Sequence, residues 1–152
     1  MSYRDKPYSD RTDLEKIRSN WKKVHGLYSR GEWSSAIVRA ATASEIAANL
    51  VVREELQNQK SIDEAFVNNL MIWANGIQGK YQNLIIPAIV GKEYEQAFKA
   101  LSEKIGKINR ERNAIVHSGA FGNPEPAHEI IVEARNVILG FVQQYHPEFD
   151  LD

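Results

Sequence analysis

Cysteine is absent from this 152-residue chain. Its absence excludes disulfide bonds, thiolate zinc sites and cysteine nucleophiles, and it fits a protein of a reducing compartment. The chain also lacks a basic excess, because 19 lysines and arginines stand against 20 aspartates and glutamates and leave a net charge of −1. This balance argues against a general nucleic-acid coat protein, although a local basic site remains compatible with it.

Long hydrophobic runs are lacking as well. The first residues, MSYRDKPYSDRTD, contain no apolar segment of the kind that a signal peptide needs. The most apolar stretch, residues 36–52, is interrupted by five polar or charged side chains, so we expect no segment that spans a bilayer and no membrane partner. The sequence therefore predicts a soluble, cytoplasmic protein.

Helical periodicity dominates what is present, and no convincing alternating strand pattern occurs. With 43% apolar and 26% charged residues, the chain has the composition of a globular protein. We expect a single domain over residues 1–152, with a flexible arm at 1–9 and a flexible tail at 147–152. The predicted fold class is all-α, an antiparallel bundle of four main helices plus an N-terminal helix.

Five helices are predicted from the apolar spacing, at about residues 10–28, 33–57, 61–81, 92–118 and 125–145. The alanine-rich second helix is apolar on most sides, which is typical of a central helix. Ser61 and Glu64 match a capping box at the start of the third helix. Its expected buried stripe consists of Phe66, Leu70, Trp73 and Ile77. All three tryptophans fit apolar stripes, so we expect core packing rather than base stacking from them.

The fourth helix carries an arginine on its apolar stripe. Its stripe advances in alternating steps of four and three, and Gly119 is the natural stop; its members are Tyr94, Phe98, Leu101, Ile105, Ile108, Arg112 and Ile115. A buried guanidinium without partners costs several kcal/mol. Arg112 is therefore paired to a carboxylate, exposed beyond the end of the core, or part of the lining of a cleft.

The segment RNAIVHSG, residues 112–119, adds a histidine to this arginine. Arg110, Asn113 and His117 are spaced to share one neighbouring helix face. The pattern of arginine and histidine separated by four to six residues is weak by itself, because roughly 0.7 matches are expected by chance in a chain of this composition. Arg18 and His25 form a second match. A plain alternative also exists, in which His117 only complements the helix dipole near a C-terminus.

RNAIVH resembles the R-x(4–6)-H motif of the HEPN (higher eukaryotes and prokaryotes nucleotide-binding) domains, with Asn113 at the polar position after the arginine. RAATASEIAANL, residues 39–50, is similar to the alanine-rich second helix of several HEPN families, in which an acidic residue is common. The resemblance covers residues 10–146 as architecture and two short stretches as sequence. It implies a homodimer with the two motifs facing each other across a cleft. In the active members, it also implies RNA cleavage that needs no metal or other cofactor.

That chemistry suits the residues present. A histidine can move the proton of a ribose 2′-hydroxyl near neutral pH, and an arginine can hold the phosphate oxygens. We therefore assign catalysis to Arg112, His117 and Asn113. Glu45 is expected to pair with Arg112 or Arg110 and to position it.

Two charged segments lie beyond the motif. Five basic side chains oppose two acidic ones over residues 99–112, which favours RNA binding by Lys104 and Lys107. An acidic excess after residue 123 suits either a basic partner or solubility.

Three functions remain open on this evidence. The first is a HEPN-type endoribonuclease, acting as a toxin or phage-defence effector with an antitoxin or regulatory protein as partner. The second is a HEPN-like dimer that binds nucleotide or RNA without cutting it. The third is a helical protein-interaction module, which needs a large exposed apolar surface and neither Arg112 nor His117.

Overall fold

The computed structural model describes residues 2–119 and 124–151, and every regular element in these residues is helical. The all-α fold class is therefore confirmed. Two 3-10 turns, Tyr3–Asp5 and Tyr8–Asp10, precede the first long helix. The α-helices are α1 Asp13–Ser29, α2 Trp33–Val52, α3 Glu64–Trp73, α4 Gly76–Lys80, α5 Ile86–Ala88, α6 Glu95–Lys99, α7 Ser102–Ser118 and α8 Pro124–Tyr145. Segments with π-helical geometry, Arg53–Gln59 and Tyr81–Ile85, extend α2 and α4.

The central helix is α2, as its alanine content predicts. It packs against α1, α4, α7 and α8. Six of its alanines are buried, at positions 36, 40, 41, 43, 47 and 48, and such small side chains let neighbouring helices approach closely. The combined helical stretch Trp33–Gln59 is long and apolar enough to cross a membrane by composition, contrary to our expectation. In the fold, however, 67% of its most apolar window is buried inside the protein, as in a core helix.

The third predicted helix is wrong in three respects. It begins at the cap Asp63, whose carboxylate accepts from the backbone N–H groups of Ala65 and Phe66, so Ser61 is not the cap. It also ends at Trp73, which places Ile77 in a separate helix. Finally, its buried face carries Val67 and Met71, while Phe66 is 55% and Trp73 is 88% exposed. Apolar residues occur on several sides of this short helix, and the packing selects a different side from the one we expected.

The fourth predicted helix is two helices, α6 and α7, with a turn at Ala100 and Leu101. Its stripe is correct through the core, because Phe98, Leu101, Ile105 and Ile108 are all buried. At its end, α7 is closed by a left-handed residue with φ 64°, which is the predicted stop at Gly119. A left-handed conformation at this position favours glycine over any residue with a Cβ.

Both chain ends are packed more closely than predicted. In the segment expected to be a flexible tail, Phe149 and Leu151 are only 4% and 5% exposed and belong to the core cluster. In the segment expected to be a flexible arm, the Tyr8 hydroxyl accepts from the Asn20 amide at 2.9 Å. Burial of apolar side chains is favourable, which explains why the two apolar residues of the tail return to the core.

Candidate active site

A polar pocket of about 320 Å³ lies where α2, α4 and α7 meet. Arg112, Asn113 and His117 all line it. The other lining residues come from α2, from the start of α4 and from the preceding turn of α7: Ala41, Thr42, Glu45, Asn75, Gly76, Ile77, Gln78 and Asn109. The motif residues therefore lie on one concave surface, even though Arg112 and His117 are far apart around an ideal helix.

Arg112 is exposed at the position where the α7 stripe has left the core. One of its guanidinium nitrogens donates to Asn113 Oδ1 at 3.2 Å. No carboxylate among the described residues lies within ion-pair distance of it. Of the three environments considered for this arginine, the structure shows an exposed position in the lining of a cleft. A guanidinium without a carboxylate partner keeps its charge and most of its donors available for an anion.

His117 lies in the last turn of α7 and is exposed to the pocket. Asn113, one turn before it, is half-buried and accepts the arginine's hydrogen bond through its side-chain oxygen. The amide thus holds the guanidinium in place from the neighbouring position of the same helix. The position of His117 also agrees with the plain alternative, since a cation is favoured at a helix C-terminus.

Glu45 lines the pocket but does not pair with either arginine, so that prediction is wrong. Its Oε2 accepts from the Lys80 ammonium at 2.7 Å. The Lys80 side chain is only 5% exposed, whereas that of Glu45 is 34% exposed. A buried ammonium needs a counter-charge, and Glu45 supplies it from the neighbouring helix. This ion pair joins α2 to α4 beneath the pocket.

The remaining predicted residues lie outside the pocket. Arg110 is exposed, and its guanidinium folds back along α7 towards Gly106. Lys104 contacts Glu133 at 3.0 Å, and Lys107 pairs with Glu129. The basic strip of α7 and the acidic stretch of α8, which we considered separately from the sequence, thus partly neutralise each other. RNA binding by these two lysines stays a prediction, and each of them has a glutamate partner that a phosphate would have to displace.

Three amide side chains of the pocket were missed by the sequence analysis. Asn109 precedes Asn113 by one turn, and the spacing of Asn109, Asn113 and His117 at i, i+4 and i+8 was a signal that could have been found. Asn75 directly precedes α4 and Gln78 lies within it, and no sequence pattern brings them to α7. The Gln78 Oε1 atom is buried without a hydrogen-bond partner in the described structure.

The second sequence match, Arg18 and His25, also lies on one pocket, of about 390 Å³. Here, however, each side chain packs on an aromatic ring. The Arg18 guanidinium lies 4.5 Å from the centre of the Phe149 ring, and His25 meets Trp21 edge-on at 5.8 Å between ring centres. Contacts of this kind stabilise the fold. This pair therefore serves as a structural control for Arg112 and His117.

Metal-binding side chains do not gather in the described ranges, where no group of three histidines, aspartates or glutamates has the geometry to hold an ion. No family model matches the chain, and comparisons with curated proteins and with solved structures gave no match.

Proposed function

We propose that this chain is a metal-independent endoribonuclease of the HEPN type. The observation that carries the proposal is the convergence of Arg112, Asn113 and His117 on one polar pocket, in which no described carboxylate pairs with the arginine. A pocket that offers a cation, amide groups and an imidazole matches the needs of a phosphodiester beside a ribose hydroxyl.

In the proposed reaction the ribose 2′-oxygen attacks the adjacent phosphorus, and the bond from phosphorus to the 5′-oxygen breaks. The 2′-hydroxyl proton is taken up by an imidazole, and the departing 5′-oxygen receives a proton, so the products are a 2′,3′-cyclic phosphate and a 5′-hydroxyl. Arg112 binds the non-bridging oxygens and stabilises the charge that develops on them. Asn113 positions Arg112 through the observed hydrogen bond.

A homodimer forms part of the proposal. One chain supplies a single histidine to this pocket, whereas the reaction uses both a proton acceptor and a proton donor. Two chains whose pockets face each other across a two-fold axis supply both groups. We further propose that the long helices form an antiparallel four-helix bundle with an additional N-terminal helix. This arrangement and the dimer rest on the resemblance to HEPN domains.

The biological setting follows from the same resemblance. We propose a cytoplasmic toxin or phage-defence effector that is held in check by an antitoxin or another regulatory protein. RNA is the proposed substrate, and no bound cofactor takes part in the proposed reaction.

A helical interaction module is the competing function, and one observation favours it. Phe66, Ile72 and Trp73 of α3 are 55%, 73% and 88% exposed. Large apolar side chains that are exposed together on one short helix are a common feature of protein-binding surfaces. This module would bind its partner without using the pocket of Arg112 and His117.

The test is incubation of the purified protein with a labelled RNA, beside the same oligonucleotide carrying a 2′-methoxy group at every ribose. We expect cleavage of the RNA alone, with cyclic-phosphate ends, because the methoxy group removes the attacking hydroxyl. Cleavage of the methylated strand, or products with a 3′-hydroxyl, would contradict the proposed chemistry.

A further inference from the structure

A second concave surface, rich in positive charge, lies between the N-terminal turns and α1. It has a volume of about 650 Å³. Six of its ten lining residues are basic: Arg4, Arg11, Lys22, Lys23, Arg30 and Arg39. The other four are Tyr3, Ser19, Gly26 and Leu27. We call this surface the basic cleft. In a chain with a net charge of −1, it is a strong local concentration of one sign.

Two arginines of the basic cleft, Arg11 and Arg39, are held by hydrogen bonds to neutral groups. Arg11 donates to the Ser19 hydroxyl at 3.1 Å and to the backbone oxygens of Lys6 and Arg4. Arg39 donates to the side-chain oxygen of the buried Asn20 at 3.1 Å. Unlike Lys104 and Lys107 of α7, these arginines are oriented by hydrogen bonds, and no carboxylate in the described part of the chain pairs with either of them. Such an arrangement favours the binding of an external polyanion.

Carboxylates are absent from the lining, as far as the described residues define it. One lining residue, Arg30, does have a carboxylate partner. It pairs at 2.8 Å with Glu32, which is not part of the lining, and both side chains are well exposed. An ion pair in this environment contributes little and yields readily to a competing anion. Lys22 and Lys23 are exposed, and no hydrogen bond or ion pair is observed for either of them in the described structure.

Shared lining residues link the basic cleft to the pocket of Arg112 and His117. A shallow depression between them is lined by Arg39, which also lines the cleft, and by Thr42, which also lines the pocket. Thr42 lies about one turn after Arg39 along α2, and Glu45 lies about one turn after Thr42. Six helical residues span about 9 Å, so a single extended strand can cross from one surface to the other.

We propose that the basic cleft binds the phosphate backbone of a single-stranded RNA whose scissile linkage lies at Arg112 and His117. This inference rests on the proposed function and adds to it the path of the substrate. Regularly spaced phosphates suit a row of basic side chains at the cleft. A flexible single strand can also follow the curved surface from α1 across α2, which a stiff duplex cannot do.

The test measures binding separately from cleavage. The probe is a fluorescent 2′-O-methyl oligonucleotide, which keeps every phosphate but lacks the attacking hydroxyl. The cleft variant is Lys22→Gln with Lys23→Gln. Its matched control, Lys92→Gln with Lys99→Gln, changes the net charge equally, and neither control residue lines the cleft, the depression or the pocket.

We expect the cleft variant to bind the probe about tenfold more weakly at low salt, with the control unchanged. The slope of log affinity against log salt concentration should also be shallower for the cleft variant. The expected change in slope is about 1.4, for two lost phosphate contacts on a single strand. Equal binding by the two variants would overturn the proposal, and so would failure of the wild type to bind. Displacement of the probe by polyglutamate as effectively as by RNA would show that the cleft binds acidic polypeptide instead.

The two proposals fail in different ways. If the cleft variant loses probe binding but the wild type cuts no RNA, the basic cleft stands as a binding site and the nuclease does not. If the wild type cuts RNA and the cleft variant cuts it equally well at limiting substrate, the nuclease stands and the proposed path is wrong.

Discussion

The Lys80 ammonium lies 2.7 Å from Glu45 Oε2, and this ion pair joins the central helix α2 to α4 under the pocket of Arg112 and His117. The lysine is almost fully buried and the glutamate is partly exposed. Glu45 therefore compensates a buried charge and does not pair with Arg112, for which the described residues provide no carboxylate partner. The same pair positions α4, which contributes Gln78 to the pocket and is preceded by Asn75, another lining residue.

Glu45→Gln should lower the free energy of unfolding by about 1–3 kcal/mol, because it leaves the buried Lys80 ammonium without a counter-charge. Urea denaturation measures the loss. Glu32→Gln is the matched control, since it breaks the exposed pair with Arg30, and we expect less than about 1 kcal/mol from it. Similar losses for the two variants would show that the pair of Glu45 and Lys80 is not specially buried.

The free energy of unfolding should fall at alkaline pH, because two tyrosine hydroxyls donate hydrogen bonds to the buried carboxylate of Glu55. Glu55 is fully buried, and both the Tyr145 hydroxyl, at 2.6 Å, and the Tyr94 hydroxyl donate to its Oε2. Burial first, and then the neighbouring Glu55 carboxylate, raise the pKa of Tyr145 and of Tyr94. Above about pH 10 the unfolded chain loses these protons while the folded chain keeps them, so unfolding releases protons and stability falls as pH rises.

The measurement is urea denaturation of the wild type and Tyr145→Phe between pH 8 and pH 11. The variant should be less stable at pH 8 by about 1–3 kcal/mol, because Glu55 loses a hydrogen bond. The difference in free energy of unfolding between the wild type and Tyr145→Phe should narrow above pH 10. It should narrow by at most about 1.4 kcal/mol per pH unit, and by less where solvent screens the tyrosine. A constant difference across the whole range would contradict the raised pKa of Tyr145.

One face of α3 is buried and another is exposed, so substitutions on the two faces should change the free energy of unfolding by different amounts. Met71→Ala should cost about 2–3 kcal/mol, because it opens a cavity in the core. Trp73→Ser should change stability by less than about 0.5 kcal/mol, since its side chain is 88% exposed. Thermal or urea unfolding checks both. A large loss of stability for Trp73→Ser with a small loss for Met71→Ala would instead support the buried stripe that we first predicted from the sequence.

Arg112→Ala should reduce RNA cleavage by at least about 100-fold, because the charge that develops on the phosphate loses its principal donor. The fold should be unaffected, since the side chain is exposed and, among the described residues, its hydrogen bond goes to its neighbour Asn113. Cleavage rate and circular dichroism are measured together. Arg18→Ala is the control and should retain full activity. If Arg112→Ala unfolds instead, the arginine has a structural role and our assignment is wrong.

The strongest periodic patterns in the sequence predict the structure well. The stripe through Phe98, Leu101, Ile105 and Ile108 is buried as expected, because apolar residues recur at helical spacing from α6 through the first turns of α7. In α3, apolar side chains occur on several sides of a ten-residue helix. The choice between them depends on which neighbours are present, and local sequence contains no information about that. The same reason explains the burial of Phe149 and Leu151 in the predicted tail.

In the candidate site, too, some features were indicated by the local sequence and others depend on tertiary packing. Arg112, Asn113 and His117 are close in sequence on one helix, so a local motif together with the family resemblance indicated them, whereas spacing alone also selected Arg18 and His25. Glu45 and Lys80 are separated by 35 residues, and their pairing depends on how α4 packs against α2. For Lys104 and Lys107, the sequence shows a basic strip, but only the tertiary structure brings the glutamates of α8 onto it.

The central claim is tested most directly by cleavage of a labelled RNA in EDTA by the wild type, His117→Ala and His25→Ala. We predict that the wild type and His25→Ala cut the RNA equally and leave cyclic-phosphate ends, while His117→Ala loses at least about 100-fold in rate. Equal cleavage by the wild type and His117→Ala, or a loss confined to His25→Ala, would contradict the assignment of the active site to the pocket of Arg112 and His117.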